Sequence, residues 1–190
     1  MNNADRRVRK TQNALKKALA ALMSKKELHQ ITVRELTETA DIHRATFYAH
    51  YQDVYDLYEQ LKNSVLADID KMIDNDPTHT YESIYESVIA YVYENAELWT
   101  MLFGKYGNKN FQNSVCDLLE KKYLNIWLFE EHRTEISSEM RYLTKYHIQG
   151  CISMIGLWCS SGFVYPKEKI IRLVRKVNEN FDLISNYKTN

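Results

Sequence analysis

The sequence predicts an all-α fold. Its 190 residues include only five Gly and two Pro, so few positions carry the residues that most often break helices. Long stretches repeat apolar residues three and four positions apart, which is the spacing of one helix face. With 45% hydrophobic residues, the chain is long enough to bury a core and to form one or two compact domains.

Positive charge is concentrated at the amino-terminal end. The whole chain has a formal charge of zero, which alone would argue against a nucleic-acid partner. Residues 1 to 52, however, carry ten Lys or Arg against five Asp or Glu, a net charge of +5, and the remainder carries −5. This asymmetry favours an anionic partner for the first part of the chain.

The first helix is predicted from Lys10 to Ser24, because its apolar residues share one face. Residues 1 to 9 are polar and basic, and we expect them to be mobile until an anion orders them. A simple solvated arm is the alternative for this basic segment.

A second, short helix is predicted to begin at Thr32. Glu35 follows three residues later, which is the spacing of a capping box: the Thr32 hydroxyl accepts from the Glu35 amide, and the Glu35 carboxylate reaches back to the Thr32 amide. Leu36 and Ala40 would form its buried face.

A third short helix is predicted from about His43 to Tyr51, after a turn at Asp41 and Ile42. Phe47 and Tyr51 lie four apart and face inward. The opposite arc combines small and hydrogen-bonding residues, namely Ala45, Thr46, Tyr48 and Ala49. Two short helices with a tight turn indicate a DNA-reading helix-turn-helix, so regulation of transcription is the leading hypothesis. A helical hairpin used only for packing is the alternative.

A long helix is predicted from Asp53 to Asp74, followed by a connector at 75–80 that contains Pro77. We expect a DNA-binding domain over 1–52 and a helical regulatory and dimerisation domain over 53–190. Further helices are predicted at Tyr81 to Ala96, Glu97 to Phe103, Asn110 to His132, Ser137 to Ser161 and Pro166 to Ser185.

The cysteines indicate a reducing compartment, and the apolar runs argue against a membrane anchor. Cys116, Cys151 and Cys159 have no disulfide-framework spacing, and the N-terminus is polar. The most apolar run, Gly150 to Cys159, is far shorter than the roughly 20 residues that a membrane span needs. We therefore expect a protein of the cytoplasm, associated with the nucleoid and without a membrane anchor.

Taken together, the basic arm, the capped helix, the run ADIHRATFYAHY at residues 40–51 and the long helix after it resemble the TetR family of transcriptional regulators. This match covers about residues 9 to 60. A looser one covers Tyr146 to Trp158, followed by a last helix that begins with Pro166. The resemblance implies an N-terminal three-helix reading head joined by a long helix to a ligand-binding and dimerisation domain.

The resemblance also implies which side chains contact DNA. The basic residues before the first helix would follow the backbone or reach a minor groove: Arg6, Arg7, Arg9 and Lys10. Phosphate or base contacts are implied for Thr32, Arg34, His43, Arg44, Ala45, Thr46, Tyr48 and His50. Among these, Arg44 can read guanine through two hydrogen bonds and Thr46 can contact a base edge, whereas Tyr48 suits phosphate.

Three positions depart from the family pattern. Asp41 stands where the turn usually has Gly, which is tolerable because Asp enters left-handed geometry more easily than most residues. His43 replaces the usual Ser or Thr cap of the recognition helix. Val54 replaces a Lys that would contact phosphate, and Gln52 is expected to compensate in part.

The C-terminal part offers candidates for an effector pocket. The chain has 14 Tyr, and buried Tyr hydroxyls need partners, so a pocket could recognise a partly polar ligand. The residues selected are Trp99, Phe103, Tyr123, Trp127, Tyr146, His147 and Trp158. Core packing is the alternative for each. A metal or redox role for His147 with Cys151 is less favoured than packing, and no metal or cofactor is predicted.

A dimer interface is predicted on the last two helices. Small residues that permit close helix approach form a stripe at Gly150, Ser153, Gly156 and Ser160. The last helix adds an apolar stripe that includes Ile170, Val174, Val177 and Phe181. Together the stripes suggest a two-fold, four-helix interface.

The resulting hypothesis is a ligand-responsive repressor that binds a pseudo-palindromic operator as a homodimer. The effector would be a small molecule of unknown identity. A TetR-like activator or adaptor controlled by a partner protein is the alternative. An enzyme is remote, because the sequence has no phosphate-cradling Gly loop, no G-x-S-x-G motif and no metal-ligand pattern of His with Glu.

Overall fold

The computed structural model describes residues 3–76, 80–107 and 109–185. Over these residues the all-α prediction is confirmed: the elements are helices, with no strand. The bounds are α1 Asn3–Met23, α2 Val33–Ala40, α3 Arg44–Tyr48, α4 Val54–Asp74, α5 Tyr81–Glu94, α6 Ala96–Phe103, α7 Lys109–Glu130, α8 Ser138–Ser160 and α9 Lys167–Ser185. Residues 77–79 of the predicted connector lie outside the described part.

The first helix is longer than the sequence pattern indicates. It begins at Asn3 instead of Lys10, so the predicted start of this helix is wrong. Residues 3–9 contain no Gly or Pro, and Arg is a good helix former, so nothing local stops the helix from extending. The basic residues Arg6, Arg7 and Arg9 therefore stand on a helix.

Side-chain caps set the starts of α2 and α4. The Thr32 hydroxyl accepts from the Glu35 amide at 3.2 Å, as predicted. The predicted return bond is not formed, because the Glu35 carboxylate accepts two hydrogen bonds from Lys26 Nζ at 2.7 and 2.5 Å. Asp53 caps α4 by accepting from the Asp56 amide at 2.8 Å. These bonds satisfy amides that helix starts leave unpaired.

The N-terminal head, formed by α1, α2 and α3, is organised around a small core. Leu15 and Leu19 of α1, Leu36 of α2 and Phe47 of α3 are all fully buried. Between α2 and α3, Asp41 has φ 55° and ψ 49°, which is the left-handed geometry expected at this turn. The core requires both short helices to pack against α1, because neither is long enough to be stable alone.

The remaining helices form a bundle on which the head rests. The fourth helix packs against α7, the fifth against α9, and the sixth against α8. The first helix also packs against α6, so one continuous apolar core runs from the head into the bundle. The domain boundary at residue 52 stays a prediction. Among the described helices, none is long and apolar enough to cross a membrane.

Candidate nucleic-acid interface

The third helix exposes one face and buries the other. Phe47 is 0% exposed, whereas His43, Arg44, Ala45 and Ala49 are exposed, and Tyr48 is 58% exposed. Thr46 and His50 are half-buried at the edges of this face. The helix therefore presents Arg44 and small neighbours to solvent, which is the arrangement that a major groove admits.

The start of α3 is weakly capped. His43 occupies the cap position with φ −66° and ψ 140°, and its side chain makes no capping hydrogen bond. The backbone carbonyl of His43 accepts from the Thr46 amide at 2.9 Å and from the Phe47 amide at 3.2 Å. The imidazole is left exposed beside Arg44, where it can face DNA.

The second helix contributes a paired arginine. Arg34 Nε donates to Glu38 Oε1 at 2.8 Å, and the two side chains are 71% and 64% exposed. This bond raises the pKa of Arg34. The family resemblance implies a DNA contact for Arg34, but it does not include Glu38. The i,i+4 spacing of opposite charges was the signal that could have found it.

The first helix carries a basic face instead of a basic arm. Arg6, Lys10 and Lys17 follow one another at helical spacing, and all three are exposed. Lys16 points elsewhere: it is half-buried, and burial lowers its pKa while Asp68 and Glu97 act in the opposite direction. The cations available to DNA phosphates are therefore fixed to a rigid element.

The departure from the family pattern at Val54 has structural consequences for the start of α4. Val54 is buried, so its apolar side chain closes the core where the family pattern has a phosphate-binding Lys. The backbone amide of Gln52 donates to Asp56 Oδ2 at 2.9 Å, and this bond lowers the pKa of Asp56. The first turn of α4 thus carries carboxylates, and it is poorer in cations than the resemblance implies.

The part of the chain beyond the head matches a known family. A TetR-type family model described as "Transcriptional regulator C-terminal region" matches residues 79–180, which is more than half of the chain. The protein belongs to the TetR family of transcriptional regulators. Its family and fold are those of DNA-binding regulators and not of enzymes.

Two curated relatives of this TetR-family protein are transcriptional regulators. The uncharacterized HTH-type transcriptional regulator YxbF of Bacillus subtilis is 27% identical over 174 residues, covering 88% of this chain and 44% of YxbF. The dhaKLM operon transcriptional activator DhaS of Lactococcus lactis is 28% identical over 103 residues, covering 54% and 53%. The chain spans about half the length of the curated relatives it matches.

Solved structures place the fold of this TetR-family protein among regulators. The dihydroxyacetone kinase operon activator DhaS superposes with a TM-score of 0.65 at 20% identity, covering 92% of this chain and 95% of DhaS. The fatty acid degradation regulator FadR from Bacillus halodurans gives a TM-score of 0.68 at 13% identity, covering 95% and 97%. At these identities the likeness establishes the fold.

The predicted pocket residues of this TetR-family protein do not meet in one place. Trp99 packs against Phe103, with ring centroids 5.0 Å apart. Tyr123 and His147 form a second group, with centroids 5.9 Å apart. Trp158 joins a third group with Phe163, at 4.8 Å. The sequence pattern could not separate these groups, because each depends on which helices meet.

Two of the predicted pocket residues lie outside these groups. Trp127 is half-buried, and the Arg133 guanidinium lies over its ring at 5.6 Å. Tyr146 is 77% exposed on the outer face of α8. Its assignment to an internal pocket is therefore corrected: its side chain faces solvent, opposite the buried face of α8.

The group around His147 has the most unusual chemistry. His147 is 3% exposed; its ring stacks on Phe181 at 4.2 Å, and its Nε2 lies 3.9 Å from Cys151 Sγ. A cavity of about 10 Å³ adjoins Tyr85 and Tyr123, which is room for about one water molecule. Within the described ranges, no group of three or more His, Cys, Asp or Glu could hold a metal ion.

The three cysteines of the described bundle are held as thiols. Burial raises the pKa of Cys116 and Cys151 to about 11 and that of Cys159 to about 12. Thiolates are the reactive form, so oxidation sensing is disfavoured at these positions.

Burial of His147 makes the stability of the folded protein depend on pH, which can be tested. Burial lowers the pKa of His147 to about 4, below its ordinary value near 6.5. The unfolded chain therefore binds this proton more readily, and the stability gained by keeping the ring neutral is complete above about pH 6.5. That stability is lost as the pH falls from about 6.5 towards 4. We expect the wild-type protein to lose up to about 1.4 kcal/mol more per pH unit than His147→Gln in this window.

Urea titrations of both proteins between pH 7.5 and 4.5 measure this difference. Carboxylates common to the two proteins contribute equally and cancel. Parallel pH profiles for the wild-type protein and His147→Gln would contradict the assignment.

The dimer prediction needs a partial correction. Ile170, Val174 and Phe181 are buried within the protomer, where α9 packs against α5, so these side chains are not available to a partner. Val177 is half-buried. The apolar stripe of α9 is covered within the protomer by α5 and α8, which the pattern of one helix cannot reveal.

The small-residue stripe of α8 divides in two. Gly150, Ser153 and Ser160 are exposed on its outer face. Gly156 is half-buried, and a Cβ there would lie 3.2 Å from Phe103 Cδ1, so this glycine serves packing against α6. The outer face also carries Tyr142, Tyr146 and Leu157, all largely exposed.

Proposed function

We propose that this protein binds an operator of two inverted half-sites as a homodimer, with α3 of each subunit in a major groove. The observation that carries the proposal is the exposed face of α3, where Arg44 stands among small residues while Phe47 anchors the opposite side. Arg44 suits guanine. The basic face of α1 supplies phosphate contacts that are independent of sequence.

The apolar character of the outer face of α8 supports the proposal of a homodimer. Residues 146–166 contain no Asp, Glu, Lys or Arg, and within this run Tyr146, Leu157 and Val164 expose most of their surfaces. Monomeric proteins rarely leave a contiguous apolar face in solvent. A two-fold axis that brings two copies of α8 together would cover it, with Gly150 and Ser153 permitting close approach.

Selection of bound duplexes from a random-sequence pool tests the proposal. We expect the enriched sequences to contain inverted repeats, since a two-fold dimer presents two identical recognition helices. Their half-sites should lie about 34–36 Å apart or somewhat farther. Enrichment of single half-sites would contradict the dimer, and absence of any enriched sequence would contradict sequence-specific binding.

Regulation is proposed to follow the family's usual course, repression relieved by a small molecule. The Tyr85 hydroxyl is buried beside the Cys151 thiol, and the Asn178 side chain is buried beside His147. A small polar effector that reached these groups would find hydrogen-bond donors and acceptors close to His147. It can act only through different affinities for the operator-binding and operator-free states.

An activator controlled by a partner protein is the second candidate. DhaS, one of the curated relatives, is described as a transcriptional activator. The cavity beside Tyr85 and Tyr123 is about 10 Å³, so an effector larger than water would first have to open it. A reporter placed behind the selected operator separates the candidates: lower expression with the protein supports repression, and higher expression supports activation.

A further inference from the structure

The ion pair on the exposed face of α2 contributes little to the fold. Arg34 and Glu38 lie one helical turn apart, and Arg34 Nε donates to Glu38 Oε1 at 2.8 Å. Exposed i,i+4 pairs contribute little to stability. The pair also covers no apolar surface that the head needs, since the buried face of α2 is formed by Leu36 and Thr37.

The geometry of the pair leaves the recognition edge of the arginine open. A guanidinium has five N–H donors in a rigid plane. Glu38 accepts from Nε, so the four N–H groups on the two terminal nitrogens remain for another acceptor. Those two nitrogens can donate in parallel to the O6 and N7 of a guanine. The carboxylate thus binds the Nε side of the guanidinium and leaves its outer edge free.

The charge of Glu38 acts on the competing contact. An exposed arginine near DNA is drawn to any phosphate, and this attraction carries no sequence information. A carboxylate bound to the same guanidinium repels phosphate oxygens, whereas a guanine edge is uncharged. Glu38 therefore weakens the phosphate contact of Arg34 more than its base contact.

We propose that Glu38 is a positioning residue that directs Arg34 to a base edge and away from phosphate, so that it increases operator selectivity at some cost in affinity. The inference rests on the proposed DNA-binding function. Arg34 would then read sequence from α2 alongside Arg44 from α3.

Two neighbouring carboxylates help to separate the effect of Glu38 on Arg34 from the effect of negative charge near α2 in general. Glu35, on the same helix, is bound to Lys26 and does not contact Arg34. Asp41 stands in the turn with φ 55°, a geometry that Asn also tolerates. Asp41→Asn therefore removes one negative charge close to α2 without disturbing the pair, and it serves as the matched control for Glu38→Gln.

The experiment compares binding of a duplex selected by the wild-type protein with binding of a shuffled duplex of the same composition, over a series of salt concentrations. Glu38→Gln is expected to bind the shuffled duplex several-fold more tightly. The dependence of log affinity on log salt should steepen by about 0.9 for each additional phosphate that the variant neutralises. The ratio of selected to shuffled affinity should fall roughly five- to tenfold, because Arg34 loses part of its discrimination between bases. Asp41→Asn should strengthen both affinities equally and leave the ratio unchanged.

Two outcomes would overturn the inference while the proposed function stands. The first is a selective wild-type protein whose selectivity is unchanged by Glu38→Gln. The second is a fall in selectivity caused by Glu38→Gln even when Arg34→Ala is already present, since Glu38 would then act without Arg34. If the wild-type protein itself does not distinguish the two duplexes, the proposed function fails and the inference fails with it.

Discussion

Arg44→Ala is expected to remove most of the preference for the selected operator. Arg44 is the first residue of α3 and is exposed, and no carboxylate among the described residues pairs with it. A bidentate contact between Arg and guanine provides about 1–3 kcal/mol of discrimination, and a dimer makes this contact twice. The ratio of selected to shuffled affinity should therefore fall roughly 30-fold or more, as measured by binding titrations at fixed salt.

The control for this prediction is Arg6→Ala, which removes the same charge from the exposed face of α1. Because phosphate contacts do not depend on sequence, Arg6→Ala should weaken binding of both duplexes by the same factor. A selectivity that survives Arg44→Ala would place base reading elsewhere on the head. Circular dichroism of both variants should match that of the wild-type protein, since neither side chain is buried.

Local features of the head could be predicted from the sequence because their causes lie within a few residues. The Thr32 cap requires an amide three positions later, and the left-handed turn at Asp41 requires a tolerant side chain. The inward orientation of Phe47 follows from helical spacing. The basic residues at 6–10 were recognised by charge, but the start of α1 was missed, because the polar sequence that permits helix also permits disorder.

Features that depend on a second element could not be predicted. Glu35 has the sequence position of a capping-box residue, but Lys26 from another element competes successfully for its carboxylate. The apolar face of α9 has the pattern of an interface, but α5 already covers it. Tyr146 and His147 are adjacent in sequence, yet one faces solvent and the other the core. The spacing of apolar residues predicts which residues share a helix face, but only the packed structure shows which element contacts that face.

Phe47→Ala is expected to have the largest effect on stability. Phe47 is fully buried, and its ring contacts that of Tyr51 with centroids 5.6 Å apart. Replacing a buried Phe with Ala typically costs about 3–5 kcal/mol, a large part of the roughly 5–15 kcal/mol that stabilises a typical domain. The recognition helix has only five residues, too few to hold its shape without tertiary contacts. Losing Phe47 should therefore disorder the same helix that carries Arg44.

Tyr48→Ala is the matched control, because it removes a neighbouring aromatic ring from the same helix. Tyr48 is 58% exposed, and its ring meets that of Phe47 edge to face with centroids 5.5 Å apart, so its replacement should cost about 1 kcal/mol. Urea titrations followed by circular dichroism measure both variants. Equal losses would contradict the orientation of α3, since they would mean that the face assigned to DNA is also part of the core. Unequal losses in the expected order would show that α3 buries Phe47 in the core and presents the adjacent Tyr48 to solvent.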